Sequence, residues 1–112
     1  MTQKEQEQQS HCKKSGLGNV YIMTHSFFSD VIRIGCTFND PLEYTKSLSA
    51  KTPGDYTLVF ARQCDNPCQV QQRIKTLLSA QKYVNEFYHV PTSVAERLLK
   101  RESAIIPSLM TA

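Results

Sequence analysis

The sequence predicts an α+β domain in which a small three-stranded, mainly antiparallel sheet is flanked by helices. Residues 20–23 and 31–36 are two short runs rich in β-branched and aromatic residues, and a polar, turn-prone segment separates them. This pattern is typical of a β-hairpin. Residues 56–62 form a third run of this kind. An Asx-Pro dipeptide precedes each of two stretches that suit helices, so the predicted order is β-β-α-β-α, a short extended segment and a final helix.

The two ends of the chain have compositions that predict no packed structure. Residues 1–17 are dominated by Gln, Glu, Lys and Ser, with almost no apolar side chain before Leu17. Such a segment buries too little apolar surface to offset its ordering entropy, so we expect a flexible tail. Residues 103–112 contain Pro107 and are predicted to be irregular. The predicted domain therefore spans residues 18–102.

The first helix has a clear start signal. Asp40 is suited to accept hydrogen bonds from the free amides of the first turn, and Pro41 suits the first helical position. Glu43 completes the spacing of a capping box. Because Pro53 and the glycine after it interrupt any longer helix, the helix is predicted to end by Ala50.

The second helix is predicted to begin after Asp65-Asn66 at Pro67, and to pack on the sheet. Its apolar residues recur at the spacing of one stripe, namely Val70, Ile74, Leu77 and Leu78. A break follows near residues 83–85, and residues 86–90 are predicted to be extended. Ser93 and Glu96 form a second capping-box pattern, which predicts a final helix to about Lys100. The residues expected to face inward on it are Val94, Leu98 and Leu99.

The composition is that of an ordinary globular domain. The chain has 112 residues, of which 40% are hydrophobic and 21% charged, with a formal net charge of +3. This mild positive charge permits a polyanionic partner but does not require one. No apolar run approaches the roughly 20 residues that cross a bilayer, so we expect a soluble, intracellular protein without a membrane partner. No zinc-type spacing is present among the four cysteines, which we expect to be reduced thiols: Cys12, Cys36, Cys64 and Cys68.

Five short motifs follow one another between residues 18 and 101. They are Val20-Tyr21-Ile22, Arg33-Ile34-Gly35, Gly35-Cys36-Thr37 with Asn39-Asp40-Pro41, Asp65-Asn66-Pro67, and Glu86-Phe87-Tyr88-His89-Val90. In this order they resemble the GIY-YIG endonuclease superfamily. The resemblance is strongest to its phage and viral branch, in which the second motif reads Lys-Ile-Gly rather than Tyr-Ile-Gly.

The resemblance implies cleavage of a phosphodiester with a divalent cation, Mg²⁺ or Mn²⁺. In this superfamily a motif tyrosine assists a metal-bound water, a helix arginine steadies the developing charge, and a helix glutamate holds the cation. Position by position, Tyr21 occupies the tyrosine position and Arg33 the second motif position. Tyr44 stands where the arginine is expected, and Gln71 stands where the glutamate is expected.

These two replacements weaken the expected chemistry. The neutral amide of Gln71 is a poor substitute for a carboxylate on a hard cation, and Tyr44 lacks the guanidinium's fork of donors. Loss of one charge-stabilising contact typically costs about 10²- to 10³-fold in rate. Glu86 is the one remaining carboxylate in a motif and the candidate metal ligand. The predicted nucleic-acid contacts are Arg33, Lys46, Arg73 and Lys75.

We therefore expect a nucleic-acid-binding protein, with DNA as the expected partner, in which cleavage is impaired or absent. One alternative is an active, divalent-metal-dependent DNA endonuclease that uses Tyr21, Arg33 and Glu86. Another is a phage or viral protein-interaction module, with a protein partner or a second copy, on a dead nuclease scaffold. The expected cofactor is Mg²⁺ or Mn²⁺ for an active enzyme and none otherwise.

Overall fold

The computed structural model describes residues 16–111 and the side chains of residues 16–104. The predicted tail at residues 1–17 lies almost wholly outside these residues, although Leu17 is already the first residue of a strand. The strands are β1 (Leu17–His25), β2 (Phe28–Thr37), β3 (Tyr56–Asp65), β4 (Lys82–Val84) and β5 (Phe87–Tyr88). The helices are α1 (Pro41–Lys51), α2 (Pro67–Leu77) and α3 (Thr92–Thr111), with a 3-10 turn at Ser79–Gln81.

The strands form one antiparallel sheet in the order β3-β1-β2-β5-β4. The predicted α+β class and the β1–β2 hairpin are confirmed, but the described sheet has five strands rather than three. The additional strands, β4 and β5, are only 3 and 2 residues long. These strands are too short to show an alternation of apolar and polar residues, so the sequence gives no signal for them. They are held in the sheet by the pairing of β5 with β2. In that contact Ile32 pairs with Tyr88 and Arg33 pairs with Phe87.

The hydrophobic core lies between one face of the sheet and helices α2 and α3. Alternate residues of β1 and β2 enter it together with one stripe of each helix; the buried members include Val20, Ile22, Ile32, Ile34, Val70, Ile74, Leu78, Ala95 and Leu99. Side chains alternate between the faces of a strand, so Tyr21 points to the opposite face. There its ring contacts that of Tyr44 on α1, with the centroids 5.7 Å apart.

The capped start of α1 is confirmed, and α2 begins at Pro67 as predicted, but Asn66 makes no side-chain capping hydrogen bond. The apolar stripe of α2 also needs one correction. Asp40 Oδ2 accepts a hydrogen bond from the Glu43 amide at 3.0 Å, as the capping pattern predicts. In α2, Pro67 is the first residue, and Asn66 before it has a left-handed φ of 53°. Leu77 is 45% exposed instead of buried. Leu77 is the last residue of α2, and its side chain faces solvent, whereas the side chain of Leu78, just after the helix, is buried in the core.

The final helix is longer than predicted. It begins at Thr92, so Ser93, the predicted cap, lies inside the helix instead of before it. The carbonyl of Pro91 accepts hydrogen bonds from the amides of Val94 and Ala95. Ala95, not Val94, joins Leu99 in the core, and Leu98 packs against it partly buried. The prediction of an irregular segment at residues 103–112 is wrong for residues 103–111, which are helical. Among the described residues, no helix is long and apolar enough to cross a membrane.

Candidate functional site

Tyr21 and Gly35 form the centre of the candidate site because they are direct partners in the β1–β2 ladder. Tyr21 is only 1% exposed. A Cβ at Gly35 would collide with the Tyr21 hydroxyl and lie 2.9 Å from Oε1 of Glu86. The tyrosine ring therefore lies across the strand at the one position where no side chain obstructs it.

Arg33, two residues before Gly35 on β2, presents its guanidinium to several partners. Its Nε donates to Glu86 Oε1 at 3.1 Å, and its Nη1 donates to the Tyr56 hydroxyl at 3.1 Å. The guanidinium carbon lies 5.3 Å from the centroid of the Tyr56 ring and 6.0 Å from that of Phe87. These contacts fix a cation beside aromatic faces, an arrangement that favours arginine over lysine.

Glu86 joins the sheet to helix α2. Its backbone carbonyl accepts from the Ile34 amide at 3.0 Å, which holds the residue against the edge of β2. The preceding Asn85 has a left-handed φ of 50°, a conformation that Asn tolerates better than most residues. While Arg33 binds one carboxylate oxygen, Gln71 Nε2 donates to the other, Oε2, at 3.1 Å. Both carboxylate oxygens therefore accept hydrogen bonds from protein donors.

Gln71 extends this network into the protein. It is 8% exposed, and its Oε1 accepts a hydrogen bond from the Cys36 thiol at 3.0 Å. Cys36 Sγ also lies 3.0 Å from Cys68 Sγ, in the first turn of α2. Both ends of the Gln71 amide are thus bound, which is what a buried amide requires.

The electrostatics keep the Tyr21 hydroxyl protonated. Burial raises the pKa of Tyr21 well above its usual range, and the negative charge of Glu86 raises it further, while Arg33 opposes both. Burial tends to lower the pKa of Arg33, but its contacts with Tyr21 and Glu86 outweigh this, so the net pKa is raised. In this arrangement Tyr21 is a neutral phenol and Arg33 a permanent cation. Tyr21 is not poised to act as a base.

A polar cleft of about 420 Å³ opens beside this network. It is lined by Arg33, Lys75, Lys82, Asn85, Glu86 and Phe87. Three cationic side chains face one carboxylate there, and that carboxylate is ion-paired with Arg33. The cleft therefore has an excess of positive charge and suits an anionic ligand.

The structure brings together Tyr21, Arg33, Gln71 and Glu86, which lie far apart in the sequence, with Tyr44 against Tyr21. Of the predicted nucleic-acid contacts, Arg33 and Lys75 line the cleft. The other two predicted contacts, Lys46 and Arg73, do not line it.

Lys46 lines a separate groove between α1 and the start of β3. Arg73 donates from its Nε to Glu102 on α3 at 3.1 Å, outside the residues that line the cleft. Sequence reasoning missed the contacts of Tyr56 and Phe87 with Arg33. No local signal marks them, because Tyr56 meets Arg33 only through the strand order of the folded sheet.

The donors at this site do not fit a divalent cation. Among the described residues, no group of three or more His, Cys, Asp and Glu side chains is placed to hold a metal ion. Glu86, the predicted ligand, is the one carboxylate lining the cleft, and it is bound to Arg33 and Gln71. A hard cation such as Mg²⁺ needs oxygen ligands that are not already used by cationic or amide donors.

No family model, curated protein or solved structure matches this chain. The resemblance to the GIY-YIG superfamily therefore stays a prediction that rests on the quoted motifs.

Proposed function

We propose that this protein binds DNA through the cleft beside Arg33 and that it cleaves the bound strand poorly or not at all. The observation that carries this proposal is the state of Glu86. Its two oxygens hold Arg33 and Gln71. The carboxylate of the cleft thus fixes a cation in place instead of offering ligands to a metal.

The cleft supplies the elements of a phosphate site. Lys75 on α2 and Lys82 on β4 flank Arg33, and all three side chains line the same cleft. When such cations bind the phosphates of DNA, the counterions of the phosphates are released. This release contributes a favourable binding free energy that does not depend on the base sequence. Binding is therefore expected to be strongly salt-dependent and weakly sequence-specific.

Two features support weak or absent cleavage. Tyr44 packs against Tyr21, so the place where the resemblance puts a guanidinium holds a neutral ring. Gln71 replaces the expected carboxylate and donates to Glu86. Together with the raised pKa of Tyr21, this leaves the site with neither a ready base nor a metal anchor.

The second candidate is an active endonuclease that uses Tyr21, Arg33 and Glu86. One observation favours it, since these three side chains do meet beside Gly35. It predicts that Gln71→Glu scarcely changes activity. Cleavage that arises only when Gln71→Glu and Tyr44→Arg are combined would instead support a degraded site.

The test uses the 112-residue chain with a fluorescent duplex and with supercoiled plasmid, in Mg²⁺ and in Mn²⁺. We expect micromolar or tighter binding at low salt, and little or no nicking. The double variant Lys75→Ala/Lys82→Ala should bind weakly, whereas Lys51→Ala, at the end of α1 and outside the cleft, should bind normally.

Robust nicking that disappears in Tyr21→Phe would refute the proposal and favour the active enzyme. Absence of any binding at low salt would also refute it and would favour a protein-interaction module.

A further inference from the structure

Two cysteines that are distant in sequence meet beneath the candidate site. Cys36 lies near the end of β2 and Cys68 in the first turn of α2, 32 residues apart, with their sulfur atoms 3.0 Å apart. A disulfide requires about 2.05 Å between the sulfurs, so an approach of about 1 Å would join them. The elements that carry them, β2 and α2, already pack on each other through the core.

The two thiols differ in their access to solvent. Cys36 is partly exposed, whereas Cys68 is only 2% exposed. A small oxidant therefore reaches Cys36 first, and Cys68 is positioned behind it. Cys68 also lies in the first turn of α2, where the free backbone amides favour a negative charge.

We propose that Cys36 and Cys68 form a reversible disulfide when the protein meets hydrogen peroxide. The Cys36 thiolate attacks the peroxide oxygen, the O–O bond breaks, and Cys36 becomes a sulfenic acid as one water leaves. The Cys68 thiolate then attacks the Cys36 sulfur, the S–S bond forms, and the hydroxyl group leaves as a second water. The protons released when the two thiols ionise complete the two waters, so overall two thiols lose two electrons and one hydrogen peroxide is reduced to two waters.

The disulfide alters the network above it. In the reduced protein the Cys36 thiol donates to Gln71 Oε1, and Gln71 Nε2 in turn donates to Glu86. Oxidation removes the thiol hydrogen, so Gln71 loses that donor. Gln71 is hydrogen-bonded to Glu86, and Glu86 to Arg33, so a movement of the Gln71 side chain on oxidation also displaces these two residues.

The test treats the reduced 112-residue chain with hydrogen peroxide, blocks the remaining thiols with N-ethylmaleimide, and maps peptides without reduction. We expect two fewer alkylated thiols and one linked peptide pair joining Cys36 to Cys68, both reversed by dithiothreitol. Cys64→Ser should retain the link, because Cys64 lies on β3 and is not part of the Cys36–Cys68 pair. Cys36→Ser and Cys68→Ser should abolish it.

The mapping of the natural chain decides the question even if a serine variant folds poorly. Overoxidation of Cys36 without a link, or a link from Cys36 to any other cysteine, would overturn the proposal. A second readout is the side-chain amide signal of Gln71 in a ¹⁵N spectrum, which should shift on oxidation and return on reduction. Neither readout depends on DNA binding, so failure here and failure of the proposed function are distinguishable.

Discussion

Replacing Glu86 by glutamine distinguishes a carboxylate that positions Arg33 from one that holds a metal. The side chains of Arg33 and Glu86 are 18% and 30% exposed, so their ion pair lies between the surface and buried classes. Exposed pairs contribute about 0–1 kcal/mol, and breaking a buried pair costs about 3–5 kcal/mol. We therefore expect Glu86→Gln to lower the free energy of unfolding by about 2 kcal/mol.

The same substitution should strengthen DNA binding. It removes one negative charge from the cleft that we propose binds DNA phosphate. At about 5 Å in water, the repulsion between two unit charges is about 0.8 kcal/mol, which corresponds to about a fourfold decrease in Kd. The assays are urea unfolding followed by circular dichroism and fluorescence anisotropy with a labelled duplex.

A matched control is available on α3. Glu96 pairs with Lys100 at 3.1 Å, and their side chains are 38% and 53% exposed. Glu96→Gln should change the free energy of unfolding by no more than about 0.5 kcal/mol and leave DNA binding unaltered. If Glu86→Gln is as stable as the natural protein and binds DNA more weakly, Glu86 contacts a ligand or a metal and the reasoning is wrong.

Three further outcomes are expected. Gly35→Ala places a methyl group against Tyr21, so it should lower the free energy of unfolding by about 1–3 kcal/mol in urea unfolding; unchanged stability would contradict the described packing. The oxidised protein, with its loop of 32 residues closed by Cys36 and Cys68, should gain up to about 3.7 kcal/mol in the same assay, and no gain would indicate a strained link. The pKa of Tyr21 is raised in the folded state, so its stabilising effect is present below pH about 10 and is lost as the pH rises above it. Tyr21→Phe should flatten that loss, as measured by unfolding between pH 8 and pH 11 (roughly two units below and one unit above the usual tyrosine pKa), and an unaltered slope would contradict it.

The elements with local signals could be predicted from the sequence. The hairpin and the capped start of α1 depend on residues close together in the chain, such as Asp40 and Glu43. β5 lies inside the segment predicted to be extended at residues 86–90, but β4 and its pairing with β5 were missed because these short strands depend on β2 and not on their own composition. The C-terminal end of α3 was missed because Pro107 was weighed as a breaker, while burial of Glu102 and Ser103 shows that the packed face continues past residue 101.

The candidate site was predictable only in part. The order of the motifs led to Tyr21, Arg33, Gln71 and Glu86, and the structure does place them in contact through the network around Glu86. The partners within that network were not predictable. The bond between Cys36 and Gln71 joins residues 35 apart, and its existence depends on how α2 packs against β2.

The salt dependence of DNA binding tests the central claim most directly. For the natural protein, the logarithm of the association constant should fall linearly with the logarithm of the salt concentration. For Lys75→Ala/Lys82→Ala the slope should be smaller by about 1.8, because two phosphate contacts are lost. Equal slopes for the two proteins would show that the cleft beside Arg33 does not contact DNA phosphate, and would contradict the account.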